Sequence, residues 1–304
     1  MTELSVREFL SSIPANERIH YRANPGNAGD SLIACGAFKL FKESNIDYDL
    51  VDPLTFKGER KTIFYAGGGN LVGLYPHSRE FFRTFHKSAQ RLVLLPHTVA
   101  KNEDLLSELG SNVTIFARER LSYEHLKKFA KKAEIFLDND LAFNLTANDF
   151  LKMKPISFLE ASVAKCFYKL SSNKQEADKI PSPILMLKNS VFEYKTQLST
   201  NRNAASFRDD DEKLVSIDAR GNADLSSIYN YDTRNPQLCT YAAQRLFKHI
   251  NRFDTIRTDR LHVCIAAALL NKQVEFFPNS YFKCKAVFEY SLKGNFPNVK
   301  WMGD

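Results

Sequence analysis

Short apolar runs alternate with longer amphipathic ones along most of this chain. In the first half, Ile19-His20-Tyr21, Tyr48-Asp49-Leu50-Val51, Thr62-Ile63-Phe64-Tyr65, Arg91-Leu92-Val93-Leu94-Leu95, Val113-Thr114-Ile115-Phe116 and Glu134-Ile135-Phe136-Leu137 read as strands. They are short, rich in β-branched and aromatic residues, and mostly bounded by turn formers. Pro96 reads as the end of the fourth. Residues 30–43, 76–87 and 122–131 read as helices, with Phe81, Phe82 and Phe85 on one side of the second and Ser122 as the cap of the third. Such alternation predicts a parallel, doubly wound sheet.

The pattern weakens between residues 150 and 178, where Ser171-Ser172-Asn173-Lys174-Gln175-Glu176 is a polar break that reads as a linker. A second alternating unit follows. Ile184–Leu187, Leu214–Ile217 and Gln273–Phe277 read as strands, with a strand tail at Asp254–Arg257, and residues 237–251, 263–270 and 281–292 as helices. The expected fold is α/β, with two Rossmann-like domains at residues 1–172 and 173–304 and an interdomain cleft for ligands.

Composition narrows the function. A chain of 304 residues is long enough for two domains. Its net charge of +7 suits an anionic substrate or a peripheral anionic membrane surface. Nucleic acid is not expected, because the lysines and arginines are scattered and no zinc-finger or RNP-like pattern occurs. Five widely spaced cysteines without a C-x-x-C indicate reduced thiols in a cytoplasmic protein and no metal site. Residues 1–10 are too polar for a signal peptide, and no apolar run approaches a membrane span.

The candidate chemistry collects at predicted strand ends. Thr258-Asp259-Arg260-Leu261-His262 leads into the apolar helix Val263–Leu270, with Thr258 or Asp259 as N-cap. Arg260 and His262 then occupy the first turn, where the helix dipole disfavours cations unless an anion binds there. A surface arginine and a capping histidine are the alternative. Pro25-Gly26-Asn27-Ala28-Gly29-Asp30 opens a helix, either as an anion-approaching loop or as a tight turn. Gly67-Gly68-Gly69-Asn70 allows close substrate approach or forms a simple loop. His97 would project into the crevice at the sheet edge or be structural, and Arg118 would hold a carboxylate or phosphate or pair with Glu119. The run Phe207-Arg208-Asp209-Asp210-Asp211-Glu212 reads as a charged loop before a strand, with a site role for Arg208 left open.

Taken in order, these segments resemble the polysaccharide pyruvyl transferase family. They are Gly26–Asp30, Gly67–Asn70, Leu95–Thr98, Phe116–Glu119 with Ser122, Phe207–Asp210 and Thr258–His262. The tail Pro278–Lys283 with Tyr290-Ser291-Leu292 looks like the exopolysaccharide branch, so the resemblance spans about residues 20 to 300. One departure is His97, where the family commonly has Gln, so acceptor preference does not transfer.

The resemblance implies a GT-B-like pair of domains, the first on the acceptor side and the second on the donor side. It implies phosphoenolpyruvate as co-substrate, no cofactor, and a sugar acceptor, free or lipid-linked, converted to a pyruvate ketal at the inner face of the membrane. By matching motif, Arg118, Arg260 and Leu261 would bind the donor, and His262 would be the leading acid/base, with Asp30 the second catalytic candidate. Asn27, Gly68, Gly69, Asn70, His97 and Arg208 would line the acceptor side of the cleft. The alternatives are a GT-B glycosyltransferase using a nucleotide sugar and a non-catalytic glycan-assembly subunit.

Overall fold

The computed structural model describes residues 4–52, 55–171, 174–198, 200–214 and 221–304. Its contacts divide the chain into two compact units. The first comprises Met1–Asn24, Gly36–Asn144 and Lys285–Asn295, and the second Pro25–Cys35, Leu145–Cys284 and Phe296–Asp304.

In the first unit, α1 (Val6–Ser11) precedes a parallel sheet of seven described strands. These are β1 (Ile19–Arg22), β2 (Tyr48–Leu50), β3 (Thr62–Tyr65), β4 (Gly68–Leu71), β5 (Arg91–Val99), β6 (Val113–Ala117) and β7 (Glu134–Leu137). Their order is β2-β1-β3-β5-β6-β7, with β4 attached to β5. The helices between them are α2 (Ala28–Glu43), α3 (His77–Phe85), α4 (Glu103–Glu108) and α5 (Arg120–Phe129). This order is doubly wound and reverses direction between β1 and β3, the place where such sheets bind ligands beyond their carboxyl ends. β3 and β6 are buried at every position, as parallel strands covered on both faces should be. Tyr21 of β1 packs edge-on against Phe38 and Phe41 of α2, at ring-centroid distances of 5.6 and 5.2 Å.

Three local expectations change here. β5 does not stop at Pro96 but continues to Val99, and its register with β6 shifts between Leu94 and His97. A residue without an N–H cannot complete the ladder, so the irregularity falls at the proline. Gly68–Leu71 is a strand rather than a loop, paired with β5 through Gly68 and His97. The N-cap of α5 is Glu119, not Ser122; the Glu119 carboxylate accepts the Ser122 N–H at 3.0 Å. The Ser122 hydroxyl instead accepts the Val99 N–H and ties α5 to β5.

The second unit opens with helices: α6 (Asn148–Leu151), α7 (Phe158–Leu170), α8 (Lys174–Asp178) and α9 (Pro183–Gln197). Then come β8 (Asn203–Ser206), α10 (Leu225–Ile228), α11 (Pro236–Ile250), β9 (Thr255–Thr258), α12 (Leu261–Leu269), β10 (Gln273–Phe276), α13 (Lys283–Val287), whose last residues are counted with the first unit, and β11 (Val299–Trp301). The four strands form a parallel sheet in the order β11-β10-β9-β8. The predicted last helix is in fact α13 followed by a π-helical turn at Phe288–Leu292.

The change of unit after Asn144 differs from the predicted boundary at 172/173. The weakly patterned stretch after residue 150 is helical, and it packs with the second unit rather than closing the first. Ile184–Leu187 is not a strand but the start of α9, where Pro183 at the first helical position suits a helix entry. Of the predicted strand Leu214–Ile217, residues 215–217 lie outside the described residues. The charged run Phe207–Glu212 follows a strand, β8, and the strand expected after it falls mostly outside the described residues. The fold is therefore mixed α/β with parallel, Rossmann-like sheets.

Candidate active site

In the first unit, a closed polar cluster lies beyond the carboxyl ends of β1 and β3. Asn24 is its hub: its Oδ1 accepts the Tyr65 hydroxyl at 2.9 Å and the Asn70 side-chain amide at 2.6 Å. Nε2 of His97 lies 3.0 Å from both the backbone nitrogen and the side-chain Oδ1 of Asn70, and Nδ1 lies 3.2 Å from the Ala66 carbonyl. His97 is thus fully buried, with both ring nitrogens engaged by backbone, rather than projecting into a crevice. Gly68 has φ +141, and a Cβ there would lie 2.8 Å from the Asn24 amide nitrogen, so the glycine makes room for Asn24. Gly69 beside it is half-buried.

Arg118 follows β6 and is 1% exposed. Its Nε donates to Thr98 Oγ1 at 2.8 Å and its Nη1 to Asp140 Oδ2 at 2.7 Å. Glu119 is buried beside it, and that burial raises its carboxyl pKa despite the hydrogen bonds from Ser122. The alternative pairing of Arg118 with Glu119 gives way to the pairing with Asp140.

In the second unit, the segment after β9 enters α12. Arg260 is the N-cap and makes no side-chain cap hydrogen bond, so neither Thr258 nor Asp259 holds that position. Thr258 ends the strand with its hydroxyl donating to the Ser206 carbonyl at 2.6 Å, while its Oγ1 accepts the Arg260 N–H at 3.0 Å. The Arg260 guanidinium donates from Nε and Nη2 to Asp224 and from Nη1 to Asp210 Oδ2 at 2.8 Å. Arg208 donates to Asp210 and to Glu212, and Glu212 also accepts Lys283 Nζ at 2.5 Å. Burial alone would raise the Asp210 carboxyl; the hydrogen bond from Arg208 and the charges of Arg208 and Arg260 outweigh it and hold Asp210 well below the carboxylate range. Asp259 goes the other way, raised by burial, with Oδ1 accepting the Arg208 N–H at 2.9 Å.

The loop before α2 belongs to this same unit, although its strand β1 does not. Asp30 accepts the Asn27 N–H at 3.0 Å, and Asn27 Oδ1 accepts the Gly29 N–H at 2.8 Å. A Cβ on Gly29 would stand 2.8 Å from Nδ1 of His262 and 3.0 Å from Asn27 Oδ1. Asn27 and His262 therefore meet at Gly29, while the Asp30 carboxylate lies against Gly26, and all three side chains keep partial solvent access. The sequence places Asn27 and Asp30 with the first domain; the contacts place them with the second. Leu261 is buried and opens α12.

The structure thus assembles His262, Arg260, Arg208, Asn27 and Asp30 within one unit, and Asn70, His97, Arg118, Gly68 and Gly69 within the other. Sequence reasoning missed Asn24, Asp140 and Asp224, which hold these side chains, and gave no role to Asp210 or Lys283 although both lie in segments that carry the family resemblance. Of the three that it missed, Asn24 alone carried a signal, its place just after the first strand. A cavity of about 540 Å³ bounded in part by Tyr168, Ile180, Pro236 and Tyr241 contains none of the candidate residues.

Parallel sheets with polar clusters beyond their strand ends define a Rossmann-like α/β protein built to handle a polar ligand. Residues 27–281 match the family model for polysaccharide pyruvyl transferases, and the chain belongs to that family. It is similar to a Bacillus subtilis (strain 168) protein named "Putative pyruvyl transferase EpsO", at 25% identity over 94% of this chain and 89% of that one. It is also similar to an uncharacterized protein from Klebsiella pneumoniae subsp. pneumoniae NTUH-K2044, whose crystal structure aligns with a TM-score of 0.75 at 26% identity, covering 98% of this chain and 97% of that one. The chain is accordingly an enzyme, a pyruvyl transferase acting on polysaccharide.

Proposed function

We propose that this enzyme moves the enolpyruvyl group of phosphoenolpyruvate onto a sugar and closes it to a cyclic pyruvate ketal during synthesis of exopolysaccharide or another cell-surface glycan. The observation that carries the reading is the packing of Gly29 against His262 and Asn27, which sets an imidazole at the start of α12 beside Asn27, whose N–H the Asp30 carboxylate accepts at 3.0 Å. His262 protonates the methylene carbon, and the adjacent carbon becomes oxocarbenium-like. A sugar hydroxyl bonds to that carbon and gives up its proton, with Asp30 as acceptor. Phosphate leaves with the electrons of its C–O bond, and a second hydroxyl closes the ring, so the products are ketal and inorganic phosphate. The scheme uses no cofactor.

Arg260 and the opening amides of α12, from Leu261, serve the donor's anionic groups. An incoming phosphate exchanges with Asp210, which is 40% exposed, while Asp224 at 4% stays in place. Arg118 is the proposed donor ligand of the first unit, and Asn70, Gly68, Gly69, His97 and Arg208 shape the acceptor side. The GT-B-like arrangement, with an acceptor-side and a donor-side domain, a lipid-linked or free acceptor and a cytoplasmic location belong to the same reading.

The test is phosphate release from phosphoenolpyruvate across a panel of sugar acceptors, with product masses. Acceptor-dependent release with a ketal-sized mass increase is expected. Turnover with nucleotide sugars and none with phosphoenolpyruvate would replace this reading with glycosyl transfer.

A further inference from the structure

We propose that the outer faces of α7 and α9 form a docking surface for an anionic membrane. α9 is built inside out. It fully buries Met186, Asn189 and Glu193, two of them polar, with the half-buried Phe192 stacked on His249. Asn189 is satisfied there by the Ile228 carbonyl at 3.0 Å and the Tyr231 hydroxyl at 2.8 Å, and Glu193 accepts the Tyr229 hydroxyl at 2.9 Å and pairs with Arg245. Its solvent face carries Ile184, Leu187, Val191, Tyr194 and Leu198, all exposed, at spacings of three and four residues. α7 repeats the pattern with Leu159, Val163, Phe167 and Leu170, the last 82% exposed, while Ala161 faces inward. A helix whose only task is to cover a core places these residues the other way round. Two neighbouring helices with continuous exposed apolar stripes far exceed the scattered surface leucines of an ordinary soluble protein.

The charges choose the occupant. Lys188 and Lys195 stand four residues after Ile184 and Val191 and so border the stripe, and Lys169 stands beside Leu170. All three are exposed; the exposed acid on these two helices is Glu160, at the first turn of α7 and engaged with the Ser157 N–H at 2.7 Å. Lysines flanking an apolar stripe seat their stems along the hydrocarbon and their ammonium groups among anionic headgroups. A second copy of this chain would oppose lysine to lysine across the same face. No described helix is long and apolar enough to cross a membrane; the proposed association is peripheral, through this surface.

The full chain is sedimented with vesicles of phosphatidylcholine, with and without phosphatidylglycerol. Binding is expected only with the anionic lipid and weakens as salt rises. Replacing Lys169, Lys188 and Lys195 by Gln should lower the partition coefficient on the order of a hundredfold, taking roughly fivefold per lysine. Phe167→Ser with Leu170→Ser and Ile184→Ser should abolish binding. These residues are exposed, so an unchanged thermal melt is the folding control. Failure of the unaltered chain to bind anionic vesicles overturns the proposal without reference to any variant. So does equal binding to neutral vesicles, or a stable dimer by light scattering that the three Ser substitutions dissociate. Failure of the pyruvyl-transfer reading would leave the vesicle result untouched.

Discussion

Both units place polar side chains beyond the ends of parallel strands, but they treat them differently. In the first, Asn24, Tyr65, Asn70 and His97 are buried and answer one another or the backbone, and Arg118 is buried against Thr98 and Asp140. In the second, His262, Asn27 and Asp30 keep partial access to solvent, while the arginines beside them are held by Asp210, Asp224 and Glu212. A group that meets a substrate needs access to solvent. Under the proposed function, that access favours the second cluster for proton transfer, and burial gives the first chiefly a role in shape and stability. The largest expected effect follows directly. His262→Ala should lower turnover by about 10²–10⁴-fold and leave the melt nearly unchanged. Single-turnover phosphate release at saturating donor measures this. Near-normal turnover in a destabilised variant would reverse the comparison.

The opposite signature is expected at Asp140. Asp140→Ala leaves Arg118 buried without its carboxylate, and breaking such a pair costs about 3–5 kcal/mol of stability. Denaturant titration reads this directly, and adding Arg118→Met should recover part of the loss. A cost below about 1 kcal/mol would mean that the guanidinium is solvated, as an exposed pair would be, and so open to the donor role proposed for it. Arg260→Ala should fall between the two cases. It is expected to weaken phosphoenolpyruvate binding by about 1.5–3 kcal/mol, the range for hydrogen bonds to charged groups, seen as a raised Kd in titration calorimetry. Unchanged donor affinity would confine Arg260 to holding Asp210 and Asp224.

What could be read from sequence follows the same division. β1, β3, β6 and β7 were legible because Ile, Val, Phe and Tyr concentrate where a doubly covered strand needs them. β8 was not, since Asn203-Ala204-Ala205-Ser206 has no branched or aromatic residue and owes its conformation to pairing with β9. α9 was misread because four apolar residues in a row suit a strand or a helix equally; the later recurrence at Val191 and Tyr194 is the helical signal. At the site, the strand-end positions of Arg118, Arg260 and His262 were visible from local pattern. Their partners were not, because Asp140 and Asp224 lie 22 and 36 residues away in sequence from the arginines they hold. Nor does local pattern reveal that the Asn27–Asp30 loop joins the unit of His262, a long-range choice of packing.

Acid stability offers a smaller effect. His249 in α11 is buried against Tyr229, and that burial, aided by Arg252 and Arg245, pushes it down to about 3 from 6.5. Between those values the unfolded chain binds a proton that the folded chain refuses, so stability is lost as pH falls below about 6.5, by ~1.4 kcal/mol per pH unit. Denaturant titrations from pH 6.5 down to pH 4 should show this slope, and His249→Gln should remove it. Parallel slopes for the two proteins would mean that the second unit opens around His249 before it unfolds.

The smallest expected change in stability is also the sharpest test of the site. Gly29 lies in the first turn of α2, and alanine there gains about 0.5–1 kcal/mol of helix propensity. The same methyl would stand 2.8 Å from His262 Nδ1, closer than real contacts permit, and Asn27 Oδ1 on its other side limits the escape. One of the two side chains must move by several tenths of an ångström. Gly29→Ala should therefore melt within about 1 kcal/mol of the unaltered enzyme and yet lose about tenfold or more in turnover, since small displacements of a catalytic group cost rate steeply. If His262 were only structural, the strain would appear in the melt and not in the rate. An unaltered rate with an unaltered melt would show that the imidazole moves aside freely, and the approach of His262 to Asn27 at Gly29 would then carry no catalytic meaning.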